Sequence, residues 1–110
     1  MTKNLDNDGL RSIVENYDIF YIDLWGVVHN GITLHKNAIE TLDEITKANK
    51  DYVLLTNAPR PNKVVKTILE KMGMSKEIRD KVYSSGEASL SYLKKNYSSK
   101  SFYHIGPTRD

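Results

Sequence analysis

The sequence contains no cysteine among its 110 residues. This absence excludes disulfide frameworks, thiolate zinc sites and cysteine nucleophiles. Histidine is also scarce: three are present, at positions 29, 35 and 104, so a metal site made of histidine alone would require all of them to converge. Candidate chemistry therefore has to be sought among carboxylates, hydroxyls and backbone groups.

Long hydrophobic runs are missing as well. No stretch of the sequence approaches the roughly 18 apolar residues that a membrane-spanning helix needs. At the amino terminus, residues 1–4 lead into Asp6, Asn7 and Asp8 instead of an apolar segment, which excludes an ordinary secretory signal. We expect a cytoplasmic protein without a membrane partner.

Neither sign of charge dominates. Lysine and arginine number 16 against 14 acidic residues, which gives a net charge of +2, and the two signs are interspersed along the chain. This pattern does not favour a nucleic-acid partner. A composition with 39% hydrophobic and 27% charged residues is typical of a soluble globular protein, and the length predicts one domain or part of one.

Short apolar runs predict β-strands at residues 19–24, 52–55, 82–83 and 102–105. The first run, IFYIDL, is almost continuously apolar and is rich in β-branched and aromatic residues. Such a strand is expected to be central and parallel, with both faces covered.

Segments with the apolar spacing of helices separate these strands. Helices are predicted over about residues 8–16 with Asp8 as N-cap, from Asn37 with Glu40 at capping-box spacing, from Pro61 to Met72 with Gly73 closing the helix, as a short turn near residues 75–80, and from Ser84 with Glu87 as a second capping box. The alternation of strands and helices predicts an α/β fold with a parallel sheet and right-handed crossovers.

Polar residues appear where the first two strands end. Asp23 stands near the end of the first strand, and Thr56 and Asn57 follow the second. In open α/β sheets, ligands bind at the carboxyl ends of the strands. A carboxylate there can act as a nucleophile or bind Mg²⁺, and a hydroxyl with free backbone N–H groups can hold phosphate oxygens. Taken separately, each position is better explained by ordinary turn and capping chemistry.

Taken together, four segments resemble the haloacid-dehalogenase-like (HAD) superfamily, and most closely its class IIA hydrolases. The segments are FYIDLWGVVHNG, LLTNAPRP, VYSSGEA and YHIG, in the family's order, and the resemblance covers residues 18–110. It implies a Rossmann-like parallel sheet, with the amino-terminal part of a HAD core over residues 1–80 and the beginning of an α/β cap domain, truncated, over residues 81–110.

The resemblance also implies a reaction and its residues. The family's phosphatases transfer a phosphoryl group from a small phosphorylated metabolite through an aspartyl-phosphate, with Mg²⁺ as cofactor. Asp23 matches the nucleophile and a Mg²⁺ ligand, and the backbone carbonyl of Trp25 matches a second Mg²⁺ ligand. Thr56 and the Asn57 backbone N–H match the phosphate clamp, and Gly26, in the first motif, is grouped with them as a substrate-binding residue.

Two departures from the family pattern weaken the enzymatic interpretation. Trp25 stands where most catalytic members carry an aspartate that protonates the leaving oxygen and then activates water, and an indole N–H cannot exchange a proton near neutral pH. His29 is either a substitute for that acid or a packing residue. The lysine of the family's third motif and the acidic Mg²⁺ ligands of its fourth come after the cap domain, whereas this sequence ends as the cap begins.

We therefore expect a HAD-like phosphohydrolase-related protein that is incomplete and weakly active or inactive alone. The alternative is a non-catalytic phosphate- or Mg²⁺-binding pseudoenzyme, or a subunit that joins a complementing chain carrying the rest of the fold. A receiver-like signalling domain is a third reading, but receivers need an acidic pair at the end of an earlier strand, and Asp6 and Asp8 precede a helix.

Overall fold

A computed structural model of the chain describes residues 4–108. Its centre is a three-stranded parallel sheet with the order β1-β2-β3. The strands are β1 (Ile19–Asp23), β2 (Asp51–Thr56) and β3 (Val82–Ser84). The predicted α/β fold with a parallel sheet is thereby confirmed. The predicted boundary between a core over residues 1–80 and a cap domain over residues 81–110 stays a prediction. The strand β3 lies after this boundary and shares the sheet with β1 and β2.

Five helices accompany the sheet in the described residues: α1 (Leu5–Asp8), α2 (Lys36–Lys47), α3 (Asn62–Lys71), α4 (Lys76–Arg79) and α5 (Ser85–Tyr97). The crossover from β1 to β2 contains α2, and the crossover from β2 to β3 contains α3 and α4. No helix within residues 4–108 is long and apolar enough to cross a membrane.

One face of the sheet carries the core. Buried side chains of α2, α3 and α4 pack with those of the strands into a single cluster, which includes Leu42, Ile45, Tyr52, Leu54, Val65, Leu69, Ile78 and Val82. Burial of apolar surface in this cluster is the main favourable term for folding. The helices of both crossovers therefore form one layer against the sheet.

The opposite face of the sheet is open. Ile19 and Tyr21 of β1 are exposed, and so are Leu55 of β2 and Tyr83 of β3. The prediction that β1 is a central strand covered on both faces is therefore wrong for the described residues: β1 lies at the sheet edge, and only Phe20 and Ile22 point toward the core. An apolar run shows which residues prefer burial, but it does not show whether the chain supplies a second layer.

The predicted and observed helix boundaries agree best where a glycine follows the end of the helix. As predicted, α3 closes at Gly73, which has φ of 88°, and the N–H groups of Gly73 and Met74 bond to the carbonyls of Glu70 and Leu69. The predicted Asn37 cap is wrong, because α2 begins one residue earlier, after His35, without a side-chain cap.

The two ends of the described chain differ from the predictions. The predicted first helix is broken: Asn4 caps α1, and Gly9, with φ of 69°, separates α1 from two 3-10 turns, so Asp8 ends a helix instead of starting one. Residues 102–105 form no strand, and Tyr103 is 91% exposed. A strand exists only when its backbone pairs with a neighbour, and this segment follows α5 without joining the sheet.

Candidate active site at the carboxyl ends of the strands

The parallel pairing brings the polar strand ends together. Asp23 is the last residue of β1 and is paired with Leu55, so that Thr56, the last residue of β2, comes directly after its partner. Both line one cleft of about 730 Å³, together with Asn57 and Trp25. The expected convergence of the two strand ends at one edge of the sheet is therefore confirmed.

The Asp23 carboxylate is exposed and only partly engaged. Its Oδ1 accepts a hydrogen bond from the Leu24 N–H at 2.8 Å, which orients the side chain at the end of the strand. Within the described part of the chain, Oδ2 makes no hydrogen bond. One carboxylate oxygen thus has a fixed position while the other is available to a phosphorus atom or a cation.

Thr56 and Asn57 offer donors in the cleft that Asp23 also lines. Thr56 Oγ1 accepts a weak bond from the Ala58 N–H at 3.3 Å, so its hydroxyl proton is left for a ligand. The Asn57 N–H, beyond the end of β2, has no acceptor in residues 4–108. A hydroxyl and a backbone N–H at a strand end can bind two oxygens of a phosphate.

The loop after β1 is closed by backbone hydrogen bonds on either side of Trp25. The Leu24 carbonyl accepts from the Val28 and His29 N–H groups, and the Gly26 N–H donates to the His29 carbonyl at 2.7 Å. The Trp25 carbonyl accepts no backbone hydrogen bond within residues 4–108. Gly26 adopts φ of 79°, its amide is engaged within the loop, and it is not one of the cleft-lining residues, so its substrate-binding role stays a prediction.

These donors fit a Mg²⁺ ion in part. Asp23 and the Trp25 carbonyl supply hard oxygen ligands, which Mg²⁺ prefers, and Mg²⁺ commonly completes its shell with water and substrate phosphate. Of the residues that the structure describes, Asp23 contributes the only acidic side chain to the cleft, and no group of three or more potential metal-ligating side chains occurs among them.

His29 is a buried part of the same loop. It is 8% exposed, its Nδ1 accepts from the Gly31 N–H at 3.0 Å, and its ring meets the Trp25 indole edge to face at 5.3 Å. Burial lowers the pKa of His29, repulsion from His35 lowers it further, and Asp23 acts in the opposite direction. These contacts favour the packing role of His29, with a neutral ring, over the role of a substitute acid.

The lowered pKa of His29 predicts a pH dependence of stability. The unfolded chain binds the proton more tightly, so between the folded pKa and the ordinary histidine pKa of 6.5 the free energy of unfolding should rise with pH. Below 6.5 stability should fall. In His29→Asn, the amide oxygen can accept the Gly31 N–H but does not titrate, so denaturant titrations from about pH 7 to about pH 5 should show a smaller loss.

The exposed His104 provides the control. His104→Asn should retain the wild-type pH dependence, because this side chain lies outside the core. An unchanged acid-induced loss in His29→Asn would contradict the assignment to His29.

Several cleft residues were not singled out by sequence reasoning. Ser84 and Ser85, at the end of β3, line the cleft with Tyr83 and Tyr21. The capping role predicted for Ser84 is confirmed, because its Oγ accepts from the Glu87 N–H at 3.1 Å. Placing β3 beside β2 would have added these serines, because all carboxyl ends of a parallel sheet meet at one edge.

Comparisons with known proteins agree with this geometry. Phosphoglycolate phosphatase 2 of Arabidopsis thaliana is 30% identical over 105 residues, which are 93% of this chain and 35% of that protein. A haloacid dehalogenase-like hydrolase from Brucella suis superposes with a TM-score of 0.71 at 31% identity, over 79% of this chain and 32% of that one. A 4-nitrophenylphosphatase from Thermotoga maritima shares the fold, with a TM-score of 0.63 at 23% identity, over 77% of this chain and 33% of that one.

The chain thus spans about one third of the length of these relatives. The family model of haloacid dehalogenase-like hydrolases matches residues 20–110, from β1 and its terminal aspartate to the end of the sequence. With this match over most of its length, the chain belongs to the haloacid dehalogenase-like hydrolase family.

Proposed function

We propose that this chain carries the nucleophile and phosphate-clamp half of a Mg²⁺-dependent phosphohydrolase of the class IIA type, which acts on a small phosphorylated metabolite. The observation that carries the proposal is the juxtaposition of the Asp23 carboxylate, with a free Oδ2, and the unengaged donors of Thr56 and Asn57. The names of two relatives, a phosphoglycolate phosphatase and a 4-nitrophenylphosphatase, support this class of substrate.

The chemistry of the proposed site has two steps. An Asp23 oxygen forms a bond to phosphorus while the bond from phosphorus to the ester oxygen breaks, and the leaving oxygen takes a proton. Water then attacks the aspartyl-phosphate, gives up a proton, and releases inorganic phosphate with the carboxylate restored. Thr56 and Asn57 orient the phosphate for the in-line displacement. Asp23 and the Trp25 carbonyl would hold a Mg²⁺ ion, which would supply positive charge to phosphate oxygens.

The described residues do not complete such a site. Trp25 occupies the position of the proton-transfer group, and His29 uses Nδ1 to hold the Gly31 N–H. The cleft has one carboxylate for both the nucleophile and the cation. We therefore propose that the 110-residue chain is weakly active or inactive alone.

The open sheet face favours a second candidate, a subunit or pseudoenzyme that binds phosphate or Mg²⁺ without turnover. The exposed side chains of Ile19, Tyr21, Leu55 and Tyr83 form an apolar surface that a complementing polypeptide could cover, and the last three of them also line the cleft. In this case the ligand binds between the two chains, and catalysis requires residues from the other chain.

Two measurements test the proposal. Steady-state hydrolysis of an aryl phosphate with Mg²⁺ is expected at or near background. Phosphorus-labelled acetyl phosphate, whose leaving group needs no acid, is expected to label the protein slowly in a single turnover. The label should be an acyl phosphate sensitive to hydroxylamine, and it should be lost in Asp23→Asn.

The possible results of these measurements contradict different parts of the proposal. Robust steady-state hydrolysis that Asp23→Asn abolishes would overturn the proposed incompleteness. Labelling that survives in Asp23→Asn would overturn the role of Asp23. An unlabelled wild-type chain that still binds phosphate and Mg²⁺ would replace phosphoryl transfer with the pseudoenzyme function.

A further inference from the structure

A second cavity adjoins the cleft on the side of α3. It has a volume of about 330 Å³ and lies between the loop after β1, the loop after β2 and the helix α3. Trp25, Thr56 and Asn57 line both the cleft and this cavity. A phosphate ester held by Thr56 and Asn57 would therefore have its organic group at the entrance of the cavity.

The helix side of the cavity is apolar. The residues that α3 contributes are Val65, Ile68 and Leu69, and Met72 follows the end of the helix at the same spacing. Leu69 and Val65 are buried, whereas Ile68 is 36% exposed and so remains accessible to a ligand. Aliphatic and thioether groups favour an apolar ligand, and Met sulfur also makes favourable contacts with aromatic rings.

Trp25 adds an aromatic surface to the lining of the cavity. The residue is 63% exposed, and its indole packs against the His29 ring at an interplanar angle of 76°. It lies so close to Gly31 that a Cβ there would be 2.1 Å from the indole. An aromatic surface that is positioned before binding costs little entropy when a second ring stacks against it.

The size of the cavity limits the ligand. About 330 Å³ is at the lower end of ligand cavities, which span roughly 300–1,000 Å³. One substituted ring fits this space better than a nucleoside or a long acyl chain.

We infer that this cavity is a subsite for the leaving group of an aryl phosphate, in which a single flat, apolar ring lies between Trp25 and Ile68. The inference rests on the proposed function for the phosphate position, and it adds the chemical class of the ester. It also makes Ile68 a specificity-determining residue.

The chain contains one tryptophan, so Trp25 reports directly on the cavity. The fluorescence of Trp25, excited selectively in the full chain with Mg²⁺, is recorded during titration with phenyl phosphate and with methyl phosphate. Because the ring would leave water for an apolar site, phenyl phosphate should bind about tenfold tighter than methyl phosphate. A neutral probe, 4-fluorophenol followed by fluorine NMR, tests ring binding without the phosphate.

Two α3 variants provide a matched comparison. Ile68→Phe fills the cavity and should reduce the preference for phenyl phosphate over methyl phosphate to less than about twofold. Val64→Phe introduces the same ring one helical turn earlier, at a residue that is 40% exposed and does not line the cavity, and should keep the preference. Circular dichroism and thermal unfolding establish that both variants fold.

The outcomes separate this inference from the proposed function. Equal binding of the two phosphates, weakened by Thr56→Val, would overturn the subsite while leaving the phosphate clamp in place. Binding of 4-fluorophenol that Ile68→Phe removes, without binding of either phosphate, would support the ring site and contradict the proposed function. A preference for phenyl phosphate that persists in Ile68→Phe, or no ring binding by either probe, would overturn the inference.

Discussion

Replacement of Trp25 by aspartate is expected to raise the rate of Mg²⁺-dependent phosphate release from an alkyl phosphate by about 10²–10⁴-fold. Trp25 lines the cleft beside Asp23 but has no group that exchanges a proton near neutral pH. A carboxylic acid at this position can protonate the leaving oxygen and then accept a proton from water. The gain should be much smaller for 4-nitrophenyl phosphate, whose leaving group needs little protonation.

Trp25→Asn is the matched control for this change. Both variants lose the indole that packs against His29 and Gly31, so any effect of the lost packing is shared. The amide cannot transfer protons, and Trp25→Asn should remain at the wild-type rate or below it. Equal rates for the aspartate and asparagine variants would show that proton transfer at position 25 does not limit the reaction.

The second large effect is expected at Gly86, in the first turn of α5. Gly86→Ala should lower the free energy of unfolding by about 1–3 kcal/mol, although alanine normally favours a helix over glycine. A Cβ at position 86 would lie 2.3 Å from the Pro59 carbonyl oxygen and 2.6 Å from the Arg60 carbonyl carbon. These are backbone atoms, so α5 or the loop after Asn57 would have to move.

Urea denaturation measures this effect, and Ser89→Ala is its control. Ser89 is exposed on the same helix, and surface substitutions usually change stability by less than about 0.5 kcal/mol. Phosphate binding should weaken in Gly86→Ala as well, because the displaced loop follows Thr56 and Asn57. A variant that unfolds at the same urea concentration as the wild type, or at a higher one, would contradict the predicted clash.

Prediction from sequence was most successful at the ends of helices and strands, where the backbone conformation or the change in polarity restricts the residue type. Gly73 ends α3 because a left-handed residue is needed there. The predicted ends of β1 and β2, at residues 24 and 55, lie within one residue of the observed ends at Asp23 and Thr56. The site followed from those two ends, since parallel strands place their carboxyl ends at one edge of the sheet.

The errors arose where structure depends on a partner in space. Asn37 and Glu40 have the spacing of a capping box, but α2 begins before Asn37, and the Asn37 carbonyl instead accepts from the Thr41 hydroxyl. Ser84 and Glu87 illustrate the same limit: the cap forms, while the Glu87 carboxylate accepts from the Asn62 N–H at 2.9 Å. Residues 102–105 have strand composition, yet no described edge pairs with them.

The edge position of β1 affects how firmly the carboxylate of Asp23 is held. The strand is bonded to β2 on one side only, so its outer N–H and C=O groups lack the lateral support of a second neighbour. A displacement of about 1 Å in a reacting group can reduce a rate by about 10²-fold. A strand added along the free edge of β1 would therefore improve the alignment of Asp23 with Thr56 without contributing any reactive atom.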